Sequence, residues 1–349
     1  MKPVSIGGRT IGGGAPCFII AEAGSNHNGK LAMAYRLIDV AVRAGADAVK
    51  FQTFRAARLY TPRAGNSEYL KLSKPIYEII RDMEMPYEWI PKLAAYSRKK
   101  KIQFLSTPFD EESADRLAPY VDAFKIASYE LSHHPLIKYV AGFGKPVLLS
   151  TGAATEAEVA ESVALLRRSK AKGFCLLQCT ASYPAPLESL HVRVLQTYRD
   201  RFGVPTGLSD HSRDPVTAPM TAAALGADLL EKHFTLRNDL PGPDHRYAIT
   251  PPELALLVRR VRDVEAARGR FDKHVDPVEK ELRHFARRSL FAIEDIDIGD
   301  LLTRDNIAAL RNGSMPGGLP PSKIDSLLGR KARRAIRKGY PLPPGFAGR

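Results

Sequence analysis

GLSDH at residues 207–211 and EKHF at residues 231–234 decide how the rest of the chain is read. Each segment ends a short apolar run, and each places a histidine, His211 or His233, just past the point where a buried strand should stop. Either histidine alone reads as a hydrogen-bonded core residue. Two in equivalent places after successive strands predict shared work: imidazole ligands to one divalent metal at the mouth of a barrel, with positions left open for water or substrate.

Working outward, the same unit recurs. Upstream of VPTGLSDH (204–211) and DLLEKHFTL (228–236) lie CFIIAEAG (17–24), DAVKFQTF (47–54), IQFLSTPF (102–109), AFKIASYE (123–130), PVLLSTG (146–152) and FCLLQCTA (174–181). Each of these eight β-rich runs precedes a stretch of helical periodicity. After the first, Leu31, Ala34, Leu37, Ile38, Ala41 and Val42 share one helical face. After the fifth, Thr155 and Glu158 form an N-capping pair, and the last helix carries proline in its first turn. Eight β-then-α units predict an α/β fold, a closed (β/α)8 TIM barrel. An open doubly wound sheet is disfavoured: no glycine-rich dinucleotide turn follows the first strand, and polar residues end every strand rather than clustering at one switch point. Past Gly269 the pattern breaks. The expected division is a barrel over 1–270, a charged linker with some helix over 271–288, and a small β-rich domain over 289–349, dense in Gly and Pro and dependent on outside packing.

With 349 residues, 44% hydrophobic and 26% charged, the chain buries a sizeable core and is not of disordered composition. Its 52 basic against 38 acidic residues leave +14, which raises three readings: nucleic acid, a small phosphorylated and carboxylated substrate, or simply a basic proteome. The basic residues are spread out, and the one local excess, RKARRAIRK at 330–338, comes with no nucleic-acid-reading motif. A small phosphorylated or carboxylated substrate is therefore the expectation, not nucleic acid. No signal peptide and no membrane-length apolar run are found, so a cytoplasmic protein without membrane contact is expected. Cys17, Cys175 and Cys179 lack metal-ligand spacing and read as small buried residues of a reducing compartment.

The polar residues at the strand ends carry the chemistry. In chain order they include Glu22, Lys50, Gln52, Ser106, Thr107, Lys125, Ser128, Glu130, Ser150, Thr151, Thr180, Ser182, Tyr183, Ser209, Asp210, His211, Glu231, Lys232 and His233, with Asp244 and His245 just beyond. Lysines in strands usually snorkel to solvent, and terminal hydroxyls often only cap the next helix. Lys50 and Lys125, however, are flanked by apolar residues, and an unpaired charge in a barrel interior is costly. Two inward ammoniums ringed by hydroxyls suit a phosphate and a carboxylate.

The ordered runs AEAGSNHNG, KFQTF, STPFD, FKIASYE, LLSTG, CTASYPAP, GLSDHS, EKHFTL and PGPDH resemble the sialic acid (N-acetylneuraminate) synthase family over nearly the whole chain. The tail, opening RRSLFAIEDIDIGDLLTRDNI, resembles that family's antifreeze-like (SAF) domain. SYELSHHPLIKYVA, the alanine of DHRYAI and LRNGSMPGGLPP look closest to the spore-coat polysaccharide biosynthesis branch. The resemblance implies condensation of phosphoenolpyruvate with an N-acylated amino hexose to give a nonulosonic acid and phosphate. It implies metal ligands at His211 and His233, Mn or Mg being the expected ion, and a phosphoenolpyruvate pocket of Lys50, Thr107, Lys125, Ser128, Ser150 and Ser209. It places Glu22, Gln52, Glu130, Tyr183 and Asp244 around the sugar, with Glu22, Glu130, Lys50 and Lys125 as catalytic candidates. Arg311 would enter the partner's barrel in a domain-swapped homodimer. Two departures stand out: Ala181 where the family commonly has Asn, and Asn312 after Arg311 where Pro is usual. A barrel aldolase forming a Schiff base on Lys50 or Lys125 is the competing enzyme class.

Overall fold

The computed structural model describes residues 2–66 and 74–347, which form two compact units, Met1–Gly269 and Arg270–Arg349. The first unit opens with a short antiparallel hairpin, β1 (Val4–Ile6) and β2 (Arg9–Ile11). Eight parallel strands follow: β3 (Phe18–Gly24), β4 (Ala48–Thr53), β5 (Gln103–Pro108), β6 (Phe124–Ile126), β7 (Val147–Ser150), β8 (Phe174–Cys179), β9 (Thr206–Asp210) and β10 (Leu229–His233). They hydrogen-bond in the cyclic order β5-β4-β3-β10-β9-β8-β7-β6, and the two end strands lie side by side, so the sheet is a nearly closed barrel. That order, with β3 beside β10, is incompatible with a doubly wound sheet.

The helices between the strands begin and end where their sequence dictates. Thr155 and Glu158 make a reciprocal capping box on the helix Glu156–Arg167, and Thr250 and Glu253 do the same for Pro251–Arg268. Ala34, Leu37, Ile38 and Ala41 of Leu31–Ala44 are buried against the barrel, and Gly45 in a left-handed conformation stops that helix.

Strand alternation sorts the two faces of the barrel wall. Ile19, Ala21, Val49, Phe51, Leu149, Leu176, Leu208 and Leu230 pack outward into the helix layer. Phe18, Ile20, Ala48, Leu105, Leu148, Cys175, Leu177 and Leu229, all near the strand starts, form a separate inner cluster with Val4, Ile6 and Ile11 of the hairpin. The hairpin therefore plugs the N-terminal end of the barrel and leaves only the C-terminal end for a site. Sequence reading missed it because three-residue strands show no measurable period. Ile11 is fully buried in this plug, and Ile11→Ala is expected to cost about 2–4 kcal/mol in urea unfolding.

One strand ends sooner than expected. β6 stops at Ile126, and Ser128–Glu130 closes as a 3-10 turn with Glu130 N donating to Ala127 O at 3.1 Å. Ser128 and Glu130 thus stand on a turn above the barrel rather than on the strand predicted to reach residue 130.

In the second unit, the residues read as a linker hold a 3-10 turn (Pro277–Glu279) and a short helix (Lys280–Ala286). β11 (Arg288–Ala292) pairs antiparallel with β12 (Ile307–Arg311), and Leu290, Ile296, Leu302, Ile307, Leu342 and Phe346 make a small core of their own. Among the described residues no helix is long and apolar enough to cross a membrane.

Candidate active site

On the inner face of each strand, apolar residues at the start give way to polar ones at the end: Ile20 to Glu22, Ala48 to Lys50, Leu105 to Thr107, Leu148 to Ser150, and Leu229 to Glu231 and His233. The apolar half is a packed plug, so the polar half gathers at the C-terminal mouth. GLSDH reaches it because β9 lies tight against β10. Gly207 is in register with Leu229, and a Cβ there would collide with the Leu229 carbonyl.

Four buried charges of alternating sign form the floor. Lys50 Nζ lies 2.7 Å from Glu22 Oε2, 3.0 Å from Thr107 Oγ1 and 3.6 Å from Glu231 Oε2. Lys125 Nζ donates to Ile126 O at 2.9 Å and sits 3.9 Å from Glu231 Oε1, which also accepts from Ser209 Oγ at 2.9 Å. All four charged residues are under 5% exposed. Pairing of this kind is what makes such burial tolerable. Burial drives the Glu22 carboxyl up to about 8 despite Lys50 beside it. Burial also pushes Glu231 upward, but the ammoniums of Lys125 and Lys50 and the Ser209 hydroxyl hold it below the ordinary carboxylate value. Burial lowers the Lys125 ammonium. The sequence marks Glu231 only as one strand-end residue among many. Its position two before His233, hence on the same strand face, was the available signal.

The two histidines stand above this floor. Their rings are 5.4 Å apart at 69° to each other. His211 Nδ1 lies 3.0 Å from Thr180 O, so it donates there and leaves Nε2 with a free lone pair. His233 Nδ1 is buried without a hydrogen-bond partner. Burial lowers His211 to about 4 and His233 well below its ordinary value, so both imidazoles are neutral at pH 7. Tyr183 stacks on His211 at 4.2 Å, and Tyr247, which sequence reading passed over, lies 5.4 Å from His233 and 5.2 Å from Tyr183. The Cys179 thiol touches the His211 ring, Sγ 3.6 Å from Nδ1, so this cysteine belongs to the site rather than only to the core.

Beside His233 a small open cradle faces Gly24, whose φ of +53° favours glycine. A Cβ there would stand 3.3 Å from Asp244 Oδ2, 3.5 Å from Glu22 Oε1 and 3.8 Å from His233 Cε1. Glu22 Oε1 has no hydrogen-bond partner, and Asp244 accepts a hydrogen bond from Tyr247.

A second cradle lies at Gly152, whose N–H donates to Ser128 Oγ at 3.0 Å. A methyl group on it would lie 2.9 Å from Ser128 Oγ, 3.1 Å from Cys179 Sγ and 3.2 Å from the Ala181 Cβ. Gly152→Ala should therefore displace Ser128 and cost about 1–3 kcal/mol by overpacking, which a urea titration would show. Ser150 Oγ, at the end of β7 two residues before Gly152, is buried without a partner. Gln52 is partly buried, in register with Thr107. Glu130 is brought to His133 Nδ1 at 3.7 Å, not to the charged floor. Arg311 ends β12 in the second unit and is exposed. Asn312 N donates to Arg287 O at 2.9 Å, a bond the usual proline could not make.

A neutral imidazole pair over paired lysines and carboxylates, at the C-terminal mouth of a barrel, is the equipment of an enzyme acting on an anionic substrate. Comparison with known proteins gives that equipment a family. The NeuB family model matches residues 37–273, and the SAF domain model matches residues 287–345. The chain belongs to the NeuB family. It is 42% identical to the spore coat polysaccharide biosynthesis protein SpsE of Bacillus subtilis, over 97% of this chain and 94% of that one. It is 36% identical to the N,N'-diacetyllegionaminic acid synthase of Campylobacter jejuni, over 92% and 97%. The crystal structure of the N-acetylneuraminic acid (sialic acid) synthetase of Leptospira borgpetersenii superposes with a TM-score of 0.74 at 32% identity, covering 81% of this chain and 95% of that one. This NeuB-family chain is thus an enzyme of the sialic acid synthase type, a barrel followed by a SAF domain.

Proposed function

We propose that this NeuB-family enzyme condenses phosphoenolpyruvate with an open-chain N-acylated amino hexose, a ManNAc-like or 2,4-diacetamido sugar, giving a nonulosonic acid and phosphate for surface polysaccharide synthesis. The observation that carries the reading is the neutral His211–His233 pair standing over the Glu22–Lys50–Glu231–Lys125 cluster.

Two unprotonated imidazoles, one oriented by Thr180 O and one with an orphaned buried nitrogen, fit a divalent ion such as Mn or Mg. Among the described residues no group of three or more His, Cys, Asp or Glu is arranged to hold a metal, so water and substrate would have to complete the coordination of an ion held by the two histidines. Such an ion supplies Lewis-acid polarisation of the sugar's aldehyde oxygen. Lys50 and Lys125 bind the phosphate and carboxylate, with Thr107, Ser128, Ser150 and Ser209 completing the hydrogen bonds. Their placement holds the enol carbon against the aldehyde, an orientation effect worth several kcal/mol. That carbon bonds to the aldehyde carbon, whose oxygen takes a proton. Glu22, whose carboxyl burial pushes upward and whose Oε1 is unpartnered, is the group placed to deliver it. C–C bond formation leaves C2 electron-poor; water adds there and returns a proton to the Glu22 carboxylate, and the C2–O bond then breaks as the new C2 hydroxyl becomes the ketone and its proton leaves with the phosphate. Gln52, Glu130, Tyr183, Asp244 and a partner's Arg311 would read the sugar.

The test is a phosphate-release screen with phosphoenolpyruvate, Mn and a panel of 2-acetamido and 2,4-diacetamido hexoses. Release that requires one of these sugars supports the reading, and release indifferent to all of them overturns it. The lowered ammonium of Lys125 favours a second reading, a Schiff-base aldolase. Borohydride trapping of Lys125 with a carbonyl substrate would establish that reading instead.

A domain-swapped homodimer is part of the proposal. Phe271, Val278, Leu282 and Phe285 are all at least half exposed, and the last three fall on one face of the turn and short helix. An apolar stripe of this kind is what a partner subunit would cover. Light scattering should give twice the monomer mass of 38.4 kDa, and a mass of one chain would contradict it.

A further inference from the structure

We propose that the buried Asp210–Lys232 ion pair is a clasp that positions His211 and His233 at the separation a divalent cation requires. The inference rests on the metal reading of the two histidines given above.

Consecutive rungs of the β9–β10 ladder alternate in direction. Ser209 and Glu231 meet inside the barrel at 2.9 Å. The next rung, Asp210 opposite Lys232, turns outward, with Lys232 Nζ 2.6 Å from Asp210 Oδ2 and both side chains 3% exposed or less. The rung after that would be His211 and His233, but the β9–β10 ladder stops at Asp210 and Lys232: His233 stays in register with Glu22 of β3, while His211 lies past the end of β9. Lys232 supplies what the ladder lacks. Besides Asp210, its ammonium donates to the Ser212 carbonyl, to Ser212 Oγ at 3.1 Å and to Asp214 O at 2.9 Å.

His211 is therefore bracketed. The residue before it and the residues after it are bonded to the side chain adjoining His233. Asp210 Oδ1 also accepts from Ser212 N at 2.8 Å, which turns the chain tightly at His211. Asp214 continues the bracing by accepting from Val216 N and Thr217 N at the start of the helix Thr217–Ala224. Neither Asp210 nor Lys232 faces the barrel interior, so neither touches substrate. Their effect passes through the imidazoles, which makes them positioning residues.

The experiment is titration with Mn2+ alone, free ion read by electron paramagnetic resonance, on wild type, His233→Ala, Asp210→Asn, Lys232→Met and Arg262→Met, each checked by circular dichroism. Asp210→Asn keeps the volume and removes the charge, so it decides the matter if Lys232→Met does not fold. Arg262→Met removes a less buried cation, paired with Asp47 and Glu265 at the opposite end of the barrel, and controls for the loss of an ion pair remote from the histidines. Expected is wild-type affinity in Arg262→Met, none in His233→Ala, and roughly ten- to a hundredfold weaker binding in the clasp variants with unchanged circular dichroism. If His233→Ala fails to bind while folded Asp210→Asn and Lys232→Met bind as wild type does, the clasp is overturned and the metal reading stands. If His233→Ala binds as wild type does, or wild type binds no Mn2+, the metal reading falls and the clasp with it.

Discussion

His233→Ala is expected to lower the rate of sugar-dependent phosphate release on the order of a thousandfold, the several kcal/mol that a bound Lewis acid contributes to such a barrier. The fold should survive. His233 is a neutral ring, so its loss leaves no unpaired charge, only a cavity lined by Tyr183, Tyr247 and His211. His211→Ala should behave alike, the Thr180 carbonyl keeping the Ser182 N–H as its donor. Circular dichroism and initial rates, with and without added Mn, check both. A folded variant at wild-type rate in metal-stripped buffer would remove the histidines from the chemistry.

Glu231→Ala carries the second large effect, this time on stability as well as rate. Glu231 is the only carboxylate within 4 Å of both lysine ammoniums among the described residues. Without it, Lys125 keeps only the Ile126 carbonyl, and Lys50 keeps Glu22 and Thr107. Removing one member of a buried ionic group typically costs 3–5 kcal/mol, so a loss of about that size is expected in urea unfolding. Glu231→Gln keeps the volume and an acceptor for Ser209 while removing the charge. It should lose less stability yet still lose activity, because the two ammoniums then drift from the geometry proposed to receive phosphate and carboxylate. Equal stability for all three proteins would show that the cluster is not the energetic unit described.

Much of this arrangement is legible in the chain itself. Short β-rich runs, each followed by a stretch of helical period, mark all eight β-then-α units and so count out a barrel. The histidines at 211 and 233 are legible for the same reason, since equivalent offsets in neighbouring strands put them on one face. What escaped has physical causes. β1 and β2 are three residues each, too short for a pattern, and only their burial in the barrel floor reveals their purpose. SYE after FKIA continues a strand pattern in sequence, yet local hydrogen bonding closes it into a turn and lifts Glu130 away from the lysines. Glu231 and Cys179 were overshadowed by neighbours of more obvious chemistry, although alternation placed both on the inner face. The clasp was hidden because Asp210 and Lys232 point away from the pocket, and only their contacts show that they meet.

The proposed reaction takes phosphoenolpyruvate, not pyruvate, as its three-carbon donor at the His211–His233 site. One mass spectrum of a reaction containing enzyme, Mn, phosphoenolpyruvate and the sugar selected by the phosphate screen tests it most directly. The predicted result is a product equal in mass to the sugar plus one pyruvic acid unit, formed with one inorganic phosphate per molecule and absent when pyruvate replaces phosphoenolpyruvate. The same product formed from pyruvate, without phosphate, would contradict the account and point to an aldolase.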